Sequence, residues 1–307
     1  MNAKNCWAFL VHIFNLLTLS YFEPQTSKGS HGLQIPISSP LVALKVGDYP
    51  RFEPPSAPQD SKFVCEYPKL PEYEPCTAHD TRGCWLRPKD KHSRLREYNI
   101  NTDYENFYPE GITRKYFLNV EEATLYPDGC KNEHCKVFID LTQNPPLNMN
   151  DTYPGPWIQA CWGDDIEVNV INSLSCNGTS IHWHGIRMLN NVENDGVNAV
   201  TQCPIAPGES FTYKFKAMQY GSSWYHSHYS LQYADGLAGP MTIHGPSSHP
   251  YDNAMDPILI TDWNQRSAFQ DWAWSIEGHD RPLMTSVLLN GKGKHVSLIN
   301  SLDQALI

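Results

Sequence analysis

DDIEVNVIN, residues 164–172, alternates along its length: Ile166, Val168 and Val170 share one side of an extended chain, Glu167 and Asn169 the other. Successive side chains of a strand point to opposite faces, so the stretch predicts a half-buried strand. Similar segments recur on both sides of it. ITRKYFLNVEEATL (112–125) and KVFIDL (136–141) precede it, and SIHWHG (180–185), ESFTYKFKA (209–217), SSWYHSHYS (222–230) and GPMTIHG (239–245) follow. Asn194-Asp195-Gly196, Ala206-Pro207-Gly208 and Ala234-Asp235-Gly236 supply turns between them. No long amphipathic helix interrupts 112–246. The pattern predicts an all-β fold, a β-sandwich with Greek-key connections.

Composition agrees. The 307 residues include 16 Tyr, 11 Phe, 9 Trp and 24 Pro, a mix that favours strands and turns. The net charge of −10 speaks against nucleic acid or an anionic membrane surface as a partner. Residues 23–75 are rich in Pro and Ser with little periodicity and read as an irregular lead segment. After Pro246 the pattern loosens. DPILITDW (256–263) and SVLLNGKG (286–293) are further candidate strands, in a stretch too short for a self-sufficient domain.

The first twenty residues, MNAKNCWAFLVHIFNLLTLS, carry one Lys before an apolar run interrupted by His12 and Asn15. That run is too short for a membrane span and fits a secretory signal, although no small-x-small cleavage site follows. Beyond Cys6 stand Cys65, Cys76, Cys84, Cys130, Cys135, Cys161, Cys176 and Cys203, which suggest disulfides. Proximity pairs Cys130 with Cys135 and Cys161 with Cys176. Sequons at Asn150 and Asn177 point to secretion as well.

Two histidine pairs stand out on these strands, His182 with His184 and His226 with His228. Residues i and i+2 of a strand share a face with Cα atoms roughly 6.5–7 Å apart. Each pair therefore presents two imidazoles side by side. If the strands are neighbours, four imidazoles meet in one cleft, with Trp183, Trp224 and Tyr225 packed around them. Neutral imidazole is a good ligand for zinc, copper, iron or nickel. A zinc hydrolase, with Asp195 or Asp235 as the added carboxylate, and a copper oxidase are both open on the histidines alone. The other nine histidines lack this spacing; His244, near the same sheet, is the one to watch.

The flanking residues decide between metals. NGTSIHWHG (177–185), DGV (195–197), TQCPIAPGESFTYKF (201–215) and QYGSSWYHSHYSLQYADGLAGPMTIHGP (219–246) resemble the first cupredoxin domain of a laccase, in the multicopper oxidase family. CTAHDTRGCW (76–85) resembles the N-terminal loop of ascomycete-type fungal laccases. The resemblance implies a cupredoxin-like Greek-key barrel at 96–246 and an incomplete second cupredoxin domain at 247–307. Residues 1–20 would be the signal and 21–95 an irregular N-terminal segment with the Cys76–Cys84 loop. It implies copper as cofactor, phenolic donors and dioxygen as substrates, and a secreted, extracellular location. It implies His182 as ligand of a type 2 copper, His184 and His226 of one type 3 copper and His228 of the other. Asp195 matches an acidic residue tied to proton supply, Cys203 a cysteine paired with the C-terminal region, and Cys76–Cys84 a local bridge.

The family's two C-terminal histidine motifs, of the forms HPxHLHGH and HCHxxxH, do not occur among these residues. After His228 come only isolated His244, His249, His279 and His295, and no cysteine follows Cys203, which is therefore expected as a free thiol. Four of eight trinuclear ligands and none of the type 1 set are present. Weak copper binding and no turnover by this chain alone are expected, with the missing C-terminal cupredoxin domains as a partner. The alternative is a secreted, non-catalytic copper-binding cupredoxin module.

Overall fold

The computed structural model describes residues 51–52, 63–122, 153–264, 267–279, 284 and 286–293, all within one compact unit, Tyr49–Ile307. The expected signal peptide, the 136–141 strand, the Cys130–Cys135 pair, the Asn150 sequon and the 294–307 tail lie outside the described residues.

The alternation at 164–172 gives the central strand of one sheet. Strand β6 (Thr113–Val120) pairs parallel to β8 (Asp165–Asn172), and β10 (Ser210–Lys216) pairs antiparallel on its other side. A second sheet is ordered β7 (Ile158–Cys161), β12 (Ala238–His244), β11 (Gly221–Ser227), β9 (Ile181–Trp183). The β6–β8 and β7–β12 pairs are parallel, so connections cross between the sheets, as in Greek-key folds. The two inner faces meet in one core. Leu118, Ile166, Val168, Val170, Tyr213 and Phe215 come from the first sheet, and Ile158, Ile181, Trp183, Tyr225, Met241 and Ile243 from the second. Each fully buried large side chain contributes roughly 1.5–3 kcal/mol. The fold is all-β, as the alternation predicts, and cupredoxin-like, as the resemblance implies. The strand predicted over 112–125 stops at Val120.

Before the sandwich, the chain is more ordered than its periodicity indicates. Strand β1 (Arg51–Phe52) pairs with β2 (Cys65–Glu66), and β3 (Tyr73–Pro75), β4 (Cys84–Pro88) and β5 (Tyr98–Asn99) make a small sheet. These pieces are too short to alternate visibly. They are held by a separate aromatic core of Tyr67, Tyr73, Trp85 and Tyr98 around Trp162 of the sandwich. The Trp85 indole N–H donates to Tyr67 Oη at 2.6 Å, and that hydroxyl donates to the Trp162 carbonyl at 2.9 Å. Asp164, fully buried, accepts from the backbone N–H groups of Ile112 and Cys161 and from Arg114 Nε at 2.8 Å. That charged pair pins the start of β6 to the β7–β8 turn.

The disulfides correct one expectation. Cys161 bonds to Cys65, across a separation of 96 residues, not to Cys176. Cys176 is itself disulfide-bonded. Sequence proximity misleads here because Cys161 ends β7 against the N-terminal core, where Cys65 sits. Closing so long a loop contributes about 4–5 kcal/mol by chain entropy. Cys76–Cys84 is bonded, and Cys203 is free and exposed.

After Pro246 a ribbon of β13 (Ile260–Trp263) and β14 (Ser286–Leu289) forms, both in the segments expected as strands. Between them lies a helix absent from the sequence expectation, α1 (Ala268–Ile276). Its N-cap Ser267 accepts from the Gln270 N–H, and the Gln270 side chain accepts in return from the Ser267 N–H. This reciprocal cap is readable in sequence as Ser-x-x-Gln. No helix among the described residues is long and apolar enough to cross a membrane.

Candidate metal centre

Strands β9 and β11 are antiparallel neighbours, and their register sets His182 directly opposite His226. That pairing brings the two histidine pairs together. Ring centroids lie 5.3 Å apart for His182 and His226, 5.7 Å for His182 and His184, and 5.4 Å for His184 and His226. His228 joins them at 5.5 Å from His182 and 6.1 Å from His226. One nitrogen from each of His182, His184 and His226 lies within 4.8 Å of the others. His228 stands beside this tight trio and outside it.

The strand alternation explains the grouping. On β11 and the residue after it, Trp224, His226 and His228 share one face, while Tyr225 and Ser227 point into the core and are fully buried. Ser227 Oγ donates to Gln232 Oε1 at 2.7 Å, Thr179 Oγ1 donates to the same oxygen at 2.9 Å, and Gln232 Nε2 donates to the Gly178 carbonyl at 2.8 Å. This buried network ties the end of β11 to the approach to β9. Its members carry no spacing signal and are not foreseen from the sequence.

Backbone carbonyls fix two of the rings. His182 Nδ1 lies 2.7 Å from the Asp195 carbonyl and His226 Nδ1 lies 2.9 Å from the Ser227 carbonyl. A carbonyl only accepts, so each Nδ1 carries the proton and each Nε2 keeps a lone pair for a metal. His184 Nδ1 faces His226 Nε2 at 3.2 Å. Two nitrogens bound to one ion through bonds of about 2 Å can adopt that separation. Burial, together with the neighbouring imidazoles, pushes the His226 pKa down to about 4, so this ring stays neutral and able to ligate well below pH 6. The donor set therefore fits copper, a metal well served by neutral imidazole.

Asp195 follows a 3-10 turn, Val192–Asn194, and its Oδ1 lies 3.4 Å from His182 Nδ1. The next residue, Gly196, has φ +78° and approaches the Ile181 carbonyl so closely that a Cβ would stand 1.8 Å from it. Only glycine admits this approach, which sets Asp195 beside His182. The carboxylate thus lies on the Nδ1 side of the ring, away from the free Nε2. Asp235 sits elsewhere, its Oδ1 accepting from the Ala268 N–H at the start of α1. Neither acid completes a zinc-hydrolase ligand set, and among the described residues the trio contains imidazoles alone. His244 is also apart: its Nε2 meets Gln159 Oε1 at 3.0 Å and its ring packs on Phe63. Burial lowers its pKa to about 4.

Comparison with known proteins agrees with this geometry. The sequence pattern of the multicopper oxidase family matches residues 132–248. A laccase of Arthroderma benhamiae is 49% identical over 251 residues, which are 81% of this chain and 36% of that protein. Laccase-2 of Botryotinia fuckeliana is 45% identical over 212 residues, covering 69% of this chain and 32% of its own. The crystal structure of the laccase from Botrytis aclada superposes with a TM-score of 0.61 at 41% identity, covering 75% of this chain and 38% of that one. The chain thus spans about a third of the length of these relatives.

Proposed function

We propose, on the premise that this chain is a member of the multicopper oxidase family over residues 132–248, that it forms the first cupredoxin domain of a laccase-like oxidase and holds half of its trinuclear copper site. The observation that carries this reading is the register of β9 and β11, which gathers four imidazoles on one face. In this reading residues 96–246 are the first cupredoxin domain and 247–307 the opening of the second. Copper, when bound, supplies one-electron redox chemistry that couples oxidation of phenolic donors to reduction of dioxygen to water.

The residues divide the work. His182 offers Nε2 to the type 2 position, with its proton held on Nδ1 by the Asp195 carbonyl. His184 and His226 offer the two facing nitrogens to one type 3 position, and their 3.2 Å separation suits a shared ion. His228, outside the trio, serves the second type 3 position. Asp195 holds a part-exposed carboxylate beside His182, where it can pass protons between solvent and the cluster. The remaining ligands and the electron-entry site come from segments that the longer relatives carry. The apolar N-terminal run and the bonded pairs Cys65–Cys161 and Cys76–Cys84 support an extracellular location.

The test is copper affinity measured at equilibrium. Titrated with copper, the purified chain binds the metal weakly, and His226→Ala and His182→Ala each lower that affinity further. Phenol oxidation by the chain alone stays at background, because half a ligand shell binds weakly and no thiolate lies between histidines. Wild-type protein that binds no copper in the titration, or binds it equally after both substitutions, overturns the reading.

A further inference from the structure

Two of the four histidine rings have an evident polar restraint: His182 and His226 are each tied through Nδ1 to a carbonyl. His228 is held through its backbone, its main-chain N–H donating to the Ser180 carbonyl at 3.0 Å. His184 is of the second kind. It lies one residue past the end of β9 and is exposed, and the polar contact of its ring is His226 Nε2, the atom it would share a metal with. Its backbone is held, since its N–H donates to the Trp224 carbonyl at 3.1 Å and its own carbonyl accepts from Ser223 Oγ. Its ring needs another support.

We propose that Trp224 is the positioning residue of the histidine cluster, its indole setting the ring planes of His184 and His226 so that their facing nitrogens meet one ion. This rests on the reading of the cluster as a copper site. The indole stacks on His226 with centroids 4.2 Å apart and planes 28° apart, and lies against His184 at 5.1 Å and 30°. One flat surface thus contacts both rings whose nitrogens are 3.2 Å apart. The strand dictates the arrangement: Trp224 is two residues before His226 on the same face of β11, and β9 places His184 alongside. Trp224 also lines a cavity of about 940 Å³ together with Tyr153, Tyr233, Asp235 and Trp272. Tyr233, which lines the same space, also lies 5.6 Å from the His226 ring. A smaller side chain at position 224 would free the His184 ring.

The experiment uses the full chain with Trp224→Leu and Trp224→Phe, each first shown to be folded by far-UV circular dichroism. Copper affinity is read by competition with a chromophoric chelator. Loss of a neighbour that orients a metal ligand typically lowers affinity about 10–100-fold, and that loss is expected for Leu, with most affinity restored by the flat ring of Phe. A second readout needs no metal. In the metal-free protein the ring protons of His184 and His226 carry the ring-current shift of the stacked indole, and both move in each variant. Wild-type affinity in folded Trp224→Leu, or an equal loss in Leu and Phe, overturns the proposal. So do His184 and His226 ring shifts that stay unchanged, and Trp224→Phe alone decides this if the Leu variant does not fold. If the wild type binds no copper, the metal reading fails by itself, while the ring shifts still decide whether Trp224 sets the two imidazoles.

Discussion

The sandwich around His182 and the ribbon-and-helix segment after Pro246 are made of the same kind of strand, yet they bury different things. On β8 and β11 one set of alternating side chains enters a core closed from both sides: Ile166, Val168, Val170, Tyr225 and Ser227 are fully buried. On β13 and β14 the buried set is Trp263, Ser286 and Leu288, a cluster completed by Tyr153, while Ile260, Val287 and Leu289 face outward. Trp272 and Ile276 of α1 are also more than half exposed. A two-stranded ribbon has no second sheet to close against, so its alternation selects one apolar face and leaves the other open. The difference teaches that alternation specifies a strand, whereas closure specifies a rigid site. Histidines on the closed element can be held at metal-binding distances; side chains on the open one cannot.

The largest test of this contrast is truncation of one core residue in each region. Trp183 is fully buried and packs on Tyr213, Phe215 and Tyr225. Trp183→Ala should cost about 3–5 kcal/mol and displace His182 and His184, which flank it. Leu288→Ala, in the small cluster, should cost nearer about 2 kcal/mol and leave the histidine side intact. Urea unfolding followed by circular dichroism, together with copper titration at equilibrium, separates them. Equal losses of stability and of copper in both variants would break the contrast.

The sandwich and the histidine cluster were legible from sequence for one physical reason. A strand's two-residue period makes both core faces and histidine pairs visible as spacing, so Ile166, Val168, Val170, His182, His184, His226 and His228 could all be placed before any coordinates. The rest depends on contacts without a period. Cys65 meets Cys161 across 96 residues because a tertiary core brings them together, and sequence proximity chose Cys176 instead. The strands at 65–99 are two to five residues long, too short to show alternation. The network of Thr179, Ser227 and Gln232 beneath the histidines is ordinary in composition. Helix α1 did leave a local signal, the Ser267-x-x-Gln270 cap, but its nine residues are few for a periodic reading.

A second test concerns the joint between the two regions. Asp235, in a turn of the sandwich, is 4% exposed and accepts from the Ala268 N–H at the start of α1. Burial chiefly, and the nearby Asp271 carboxylate in addition, raise its pKa to about 7; the Ala268 N–H opposes this. The folded state therefore binds this proton more tightly than the unfolded chain, whose value is near 3.8. The stability from Asp235 is fully present below about pH 4 and is lost as pH rises through about 7. A tenfold change in proton affinity is worth about 1.4 kcal/mol, so the swing is at most roughly 4 kcal/mol, reduced by local relaxation. Asp235→Asn should flatten this part of the stability–pH curve, and the difference between wild type and variant isolates it from other carboxylates. If the difference does not vary between pH 4 and pH 7, the buried-acid account of the joint is wrong.

The smallest test lies in the cap of α1. Ser267 Oγ accepts from the Gln270 N–H at 3.2 Å, satisfying one of the donors that every helix start leaves open. Ser267→Ala should cost about 1 kcal/mol, and Ser267→Asp should recover most of it, since aspartate caps as well as serine and suits the helix dipole. A nine-residue helix is marginal alone, so the loss should appear as faster amide exchange within α1 and little elsewhere. Where the exchange spreads is the informative part. The Ala268 N–H is held by Asp235 of the sandwich, not by the Ser267 side chain, so the two restraints on this helix end are chemically separate. Exchange confined to 268–276 means that the joint holds while the helix frays. Exchange reaching residues 231–238 would mean that the helix supports the turn after the histidines, and that the open region lends stability to the closed one.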